Sequence, residues 1–275
     1  MNGAPAEPLA ALARARFSVR DMATATHMYI LRSLRETDTL AVSIVMPVIF
    51  ILVFSYVFGG SVAVPGGDYE PYLLSGFLSQ GMLFAGGTVA VAVAADMREG
   101  VMDRFRVMPI ARPSVLFGRT IATGIAGLPG LAVMTGCAFA MGLRPHRGLA
   151  DTLGAFAIML AFAWAMAWVG AVIGLVVSGP GAANSLSMAP SLLLAFVSNV
   201  YVDPAHMPAW LRVIALWNPL STVVAAVRRL FGVATAPPPA GVLPLQHPVA
   251  ASVVLIGLMF AVLVPLSVRL YGRVR

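Results

Sequence analysis

The sequence predicts an all-α polytopic membrane protein with six transmembrane helices. Hydrophobic residues occupy 59% of its 275 positions, charged residues occupy only 11%, and the mean hydropathy is +0.89. Typical soluble globular domains contain about 25% charged residues, so this composition excludes that class. Long uncharged runs alternate with short segments that contain charges, Gly or Pro.

Five uncharged runs supply the spans, because a helix needs about 20 apolar residues to cross a bilayer. They cover residues 39–67, 71–95, 120–143, 152–202 and 230–268. The fourth run holds two spans, since Gly and Pro in the sequence SGPGAAN from Ser178 predict a turn. Prolines up to Pro248 exclude a helix from the start of the last run. The predicted spans are approximately 39–60, 72–95, 119–142, 152–177, 184–202 and 249–268, within one domain of residues 39–275.

Residues 1–38 form a predicted cytoplasmic tail and interfacial helix. Arginines alternate there with apolar side chains such as Phe17, Tyr29 and Leu34, a pattern typical of helices in the headgroup layer. The first apolar run begins only at Thr39, so we expect no cleavable signal peptide.

The arginine distribution predicts the orientation, because cytoplasmic loops are enriched in Lys and Arg. With six spans, 13 arginines fall on one side and five on the other. The five are Arg144, Arg147, Arg212, Arg228 and Arg229. Both termini and the segment between the second and third spans are therefore predicted to be cytoplasmic.

That segment, residues 96–119, is a charged island between two apolar runs. A helix starting at Asp96 would place Met97, Val101 and Phe105 on one stripe and the acidic residues on roughly the opposite face. Pro109 should end it. Glu99 and Asp103 are a like-charge pair that costs an isolated helix about 0.2–0.5 kcal/mol. An ordinary helix on the membrane surface and a docking element both remain open from this pattern.

The outer segment, residues 202–230, contains Trp210 and Trp217 two turns apart, and Pro219 divides it. Its uncharged part is too short and broken to span, so we interpret it as a re-entrant or interfacial hairpin anchored by the tryptophans. Such a hairpin either gates an exit or only caps the helix bundle.

Several kinds of active site are excluded. All 18 basic residues are arginine, so the chain cannot contain a P-loop, which requires a lysine. Cys137 is the only cysteine and the four histidines are scattered, so we expect no metal site and no catalytic residues. Asp151 and Asp203 lie at span ends and no Glu falls within a span, which disfavours proton or sodium coupling. Energy for transport would then come from outside the bilayer.

The island EGVMDRFRVMPIARPSVLFGR, from Glu99, and the stretch MPAWLRVIALWNPLSTVVAAVRRLFG, from Met207, resemble the type-2 ABC exporter permease family. Within it, the chain is most similar to membrane subunits of daunorubicin/doxorubicin-resistance exporters of actinobacteria. The similarity runs from about Leu31 to Arg275.

The resemblance implies two sites. A cytoplasmic coupling helix would dock on a separate ATP-binding subunit through Glu99, Gly100, Asp103, Arg104, Arg106 and Pro109. An extracellular re-entrant hairpin would include Trp210, Trp217, Asn218, Pro219 and Arg228.

The resemblance also implies partners and a location. Two permeases and two ATPases would form a drug exporter in the bacterial plasma membrane, with ATP and magnesium bound by the ATPases and no cofactor on this chain. The second permease is expected to be an identical copy, and we expect no nucleic-acid partner. Lipid or glycan export by the same fold, an ATPase-independent carrier and a membrane scaffold are the alternatives.

Overall fold

All regular structure in the described part of the chain is helical. A computed structural model describes residues 69–100, 112–237 and 241–273, and the single positions Thr26, Val45, Ile49, Leu52 and Val53. In chain order the elements are α1 (Tyr69–Leu83), α2 (Ala85–Arg98), α3 (Arg112–Ala140), α4 (Leu149–Val176), α5 (Pro180–Phe196), a 3-10 turn (Pro204–His206), α6 (Ala209–Trp217), α7 (Pro219–Phe231), α8 (Leu243–Gln246) and α9 (Pro248–Arg273).

Four segments of the described chain are long and apolar enough to cross a bilayer. They are Tyr69–Arg98, Ser114–Ala140, Leu149–Val176 and Pro248–Gly272. They match the predicted spans 72–95, 119–142, 152–177 and 249–268 to within a few residues. A fifth would be counted if α6 and α7, bent by 69°, formed one span.

The other two predicted spans have different outcomes. The predicted span 184–202 corresponds to α5, which has 17 residues and runs from Pro180 to Phe196, so both predicted boundaries are too late; α5 is not among the four segments above. The predicted span 39–60 and the tail 1–38 lie outside the described residues, apart from the single positions. Val45, Ile49, Leu52 and Val53 in that span are helical, and each is at least 40% exposed.

Helix α4 lies against most of the bundle, and its contact with α2 is made by glycines. A methyl group on Gly170 would overlap the carbonyl oxygen of Gly86, and one on Gly174 would lie 2.7 Å from the carbonyl oxygen of Ala90. Small residues let two helix backbones approach closely, as the GxxxG spacing of Gly170 and Gly174 predicts. On another side, α2 packs against α5 through Ala90, Ala94 and Ala183.

The helices run back and forth between two ends of the bundle. One end, the hairpin end, holds the start of α1, the α3–α4 loop, the end of α5, the α6–α7 hairpin and the start of α9. His146 N–H donates to the Phe231 carbonyl there, at 2.9 Å. The other end, the island end, holds the end of α2, the start of α3, the α4–α5 turn and the end of α9. Tyr271 of α9 lies there in one cluster with Val115 and Leu116 of α3.

Candidate functional site

The α6–α7 hairpin bends at Asn218 and Pro219, as the sequence predicts. The Asn218 side-chain oxygen accepts a 2.9 Å hydrogen bond from the Leu220 N–H, and Pro219 occupies the first position of α7. This is the usual start of a helix, with an asparagine cap followed by proline. Asn218 Nδ2 also donates to the Leu194 and Val197 carbonyls, at 2.8 and 3.3 Å. The Asn218 side chain therefore caps the start of α7 and donates hydrogen bonds to two carbonyls at the end of α5.

Arg228 of α7 is the buried centre of the hairpin end, with 2% of its surface exposed. Its Nε and Nη2 donate to the Tyr72 carbonyl at 3.2 and 2.9 Å. Its Nη1 and Nη2 reach the carbonyls of Asn199, at 2.9 Å, and Val200, at 3.1 Å. The guanidinium carbon lies 3.4 Å from the centroid of the Tyr72 ring, within the range of a cation–π contact. Arg228 thereby joins α1, the α5–α6 connection and α7.

Further hydrogen bonds fix the same connection. The Tyr72 hydroxyl donates to the Asn199 carbonyl at 2.9 Å. The Asn199 N–H and side-chain amide donate to the Ser221 hydroxyl and carbonyl, at 3.1 and 3.2 Å. Burial raises the pKa of the nearby Tyr201 phenol, and a hydrogen bond with Gln80 opposes that rise. Polar contacts therefore hold residues 199–201 of the connection between α5 and α6.

Gly76 of α1 makes room for this arrangement. A methyl group there would lie 2.9 Å from the Val200 carbonyl oxygen and 3.0 Å from Arg228 Nη2. A larger residue would push the connection away from α1.

The predicted tryptophan anchors lie on the outside of the hairpin. Trp210 is 69% exposed and Trp217 is 60% exposed. With Leu193 and Ile214 they line an open apolar groove of about 450 Å³ between the end of α5 and α6. Arg212 donates from Nε to the Pro204 carbonyl at 3.1 Å, which holds the preceding turn.

The island end differs from the prediction of a helix that starts at Asp96. Helix α2 continues through Asp96 and ends at Arg98, with Glu99 as its cap. Gly100 has a φ of +67°, a left-handed conformation that stops an α-helix. Asp103, Arg104, Arg106 and Pro109 lie outside the described residues, so their docking role stays a prediction. Of the predicted docking residues, the structure brings Glu99 and Gly100 to the end of α2.

The burial of Asp96 differs from a second expectation, that it lies with the other acidic residues on a polar face opposite the apolar stripe. Asp96 is fully buried, and its Oδ2 lies 3.7 Å from Nη1 of Arg119 on α3. The helix turns Asp96 inward because α2 is still part of the packed bundle at that point. Neither this pair nor the acceptors of Arg228 has a sequence signal, since each partner comes from a different helix or is a backbone carbonyl.

No group of three or more His, Cys, Asp or Glu side chains that could hold a metal ion lies within the described ranges. The polar features described above are helix caps, an ion pair, hydrogen bonds of Tyr72 and Asn199, and a cationic side chain that binds carbonyls. These features can fix the ends of helices, and none of them is a catalytic arrangement.

Comparisons with known proteins indicate the family. The profile of the ABC-2 type transporter matches residues 22–231. The chain is 30% identical over 210 residues to the daunorubicin resistance ABC transporter permease protein DrrB1 of Streptomyces coeruleorubidus, covering 76% of this chain and 74% of the relative. It is 25% identical over 215 residues to the probable doxorubicin resistance ABC transporter permease protein DrrC of Mycobacterium tuberculosis, covering 78% of each.

Proposed function

Because the chain belongs to the ABC-2 type transporter family, we propose that it is the permease subunit of an ATP-driven exporter of a hydrophobic or amphipathic, drug-like compound. The match over residues 22–231 carries this proposal, and the names of the relatives suggest the substrate class. Energy would come from a separate ABC ATPase, since no lysine is present to form a P-loop.

The proposed topology has six spans with both termini in the cytoplasm. Five helical passes between the two ends support it: the joined segment α1–α2, then α3, α4, α5 and α9. At 17 residues, α5 falls at the lower limit of about 17–25 residues for a spanning helix. The predicted span 39–60 would be the sixth, and α6–α7 would enter and leave on the outer side.

The proposed docking site for the ATPase is the island, with Glu99, Gly100, Asp103, Arg104, Arg106 and Pro109 at its centre. It follows directly from α2, whose close contact with α4 would carry a displacement of the island into the bundle. We further propose a homodimer of this chain with two ATPases, in which ATP and magnesium are bound by the ATPases.

Affinity purification from the native membrane, with quantitative mass spectrometry, tests this assembly. We expect an ABC-type ATPase at near one-to-one stoichiometry, and we expect Asp103→Arg to abolish its recovery because the reversal changes the charge of the island. The matched control is Glu70→Arg, an exposed charge reversal at the hairpin end that should leave recovery unchanged. Association retained in Asp103→Arg would contradict the docking role, and no ATPase with the folded wild-type chain would contradict the assembly.

Transport itself is tested in proteoliposomes with a fluorescent anthracycline. We expect ATP-dependent movement only when the permease and the ATPase are both present. Movement by the chain alone would favour the ATPase-independent carrier instead.

A further inference from the structure

We propose that Asp96 and Arg119 form a latch that fixes the end of α2 to the start of α3, so that movement of a docked ATPase displaces both helices together, an inference that rests on the proposed function. Asp96 is in the last turn of α2, and Arg119 is in the second turn of α3. The 22 residues from 97 to 118 lie between them in sequence. The 3.7 Å ion pair therefore joins the first and last residues of the island.

The pair is buried, which makes its charge costly unless the two groups stay together. The side chain of Asp96 is 1% exposed and that of Arg119 is 14% exposed. Removing a carboxylate from water without a cation is strongly unfavourable, and a buried pair is broken only with a large loss of free energy. Two well-packed apolar side chains at this position would stabilise the protein at least equally. The charged pair therefore contributes specificity, because each side chain has one defined partner.

The latch joins α3 to a part of the bundle that is already tightly packed. One turn from the pair, Val93 on α2 and Val115 on α3 belong to one buried cluster with Trp168 of α4 and Tyr271 of α9. Farther along α2, the glycine contacts leave no space between α2 and α4. A force on the island would therefore move α2 and α3 together instead of separating their ends.

Without the pair, apolar packing one turn away would be the contact joining α2 to α3 near the island, so we expect the ends of the two helices to move more independently. Loop closure contributes an entropic cost that grows with length, and a specific contact at the base removes that freedom. Asp96 and Arg119 are thus positioning residues: they act on the island and do not themselves contact the ATPase in this proposal.

Spin-label distance measurements on the full chain test the latch without any ATPase. Spin labels at Arg98→Cys and Gly124→Cys report the distance between α2 and α3. The Cys137→Ser substitution removes the native cysteine, and the labelled protein is diluted with unlabelled protein. Arg98 is exposed, and a side chain at Gly124 meets nothing within 4 Å in the described structure. We expect a narrow distance distribution that widens at least twofold in Asp96→Asn. The exchange Asp96→Arg with Arg119→Asp should restore the narrow distribution.

A distribution that stays narrow in Asp96→Asn, or one that the exchanged pair fails to narrow, would overturn the latch. If Asp96→Asn does not fold, the exchanged pair alone decides, because a narrow distribution then requires the ion pair in either direction.

A second readout separates positioning from simple stability. In the purified complex, Asp96→Asn should retain the ATPase at wild-type stoichiometry but lower the amount of substrate moved per ATP at least fivefold. Unchanged coupling, or a loss that only follows the amount of folded protein, would contradict the positioning role. Failure of the wild-type chain to recover an ATPase would refute the proposed function, while the distance measurement would still decide on the latch.

Discussion

At the scale of single residues, Arg228 satisfies carbonyl groups that no helix can satisfy. The chain leaves α5 at Val197, so the carbonyls of Asn199 and Val200 have no partner in a following helical turn. Arg228 supplies donors to both from inside the bundle, where an unpaired carbonyl is costly. Its fork of N–H groups also suits several acceptors at once, which a lysine could not match.

We therefore expect Arg228→Met to lower the free energy of unfolding by about 2–3 kcal/mol, because buried acceptors lose charge-assisted hydrogen bonds. Denaturant titration of the purified protein in mild detergent measures this change. The control is Arg229→Met, since Arg229 is exposed and adjacent. It should change stability by less than about 0.5 kcal/mol. Equal effects of the two substitutions would show that burial of Arg228 is unimportant.

At the scale of the elements, α2 is the helix on which the arrangement depends. It continues α1 through a local break at Phe84, whose carbonyl accepts from the Gly87 N–H at 3.0 Å. It is packed by small residues against α4 and α5, and it ends where the island begins. Arg228 fixes α1 at one end of this segment, and the Asp96–Arg119 pair fixes α2 at the other.

The α2–α4 contact predicts that Gly170→Ala is destabilising. The added methyl group meets the backbone of Gly86, which cannot move without separating the two helices. We expect a loss of about 1–3 kcal/mol, typical of an overpacked core. Gly257→Ala on α9 is the control, because a methyl group there meets nothing within 4 Å of the described residues. Thermal unfolding in detergent measures both, and equal stability of the two variants would contradict the close contact.

At the scale of the whole molecule, composition predicted most of the helices. Four segments long and apolar enough to cross a bilayer lie within about five residues of predicted spans, because a long uncharged run is a property of the chain itself. The sequence predicts an end for α5 that is too late, because residues 197–202 are also uncharged. The carbonyls at the end of that helix and just beyond it are bound by Asn218 and Arg228, which come more than 20 residues later. The burial of Asp96 could not be predicted for the same reason, since it depends on Arg119 of another helix.

The family resemblance implies which residues belong to the hairpin site, and that role stays a prediction; the structure shows which atoms those residues contact. Trp210 and Trp217 were predicted from their spacing, and both are exposed. The partners of Asn218 and Arg228 are backbone carbonyls, which any residue type provides. No sequence pattern could therefore have named Tyr72 or Val200 as part of the site.

The overall topology predicts which ends of the helices are reached from outside the cell. In a Cys137→Ser background, single cysteines replace Ala205 before α6, Arg229 near the end of α7 and Arg98 at the end of α2, all of them exposed. With 13 of 18 arginines assigned to the cytoplasm, an impermeant maleimide should label Ala205→Cys and Arg229→Cys in intact cells. Arg98→Cys should react only after permeabilisation. Labelling of Ala205→Cys and Arg229→Cys from opposite sides would make α6–α7 a bent span, and would require a different number of crossings. Labelling of both from the inside would instead reverse the orientation and leave the hairpin intact.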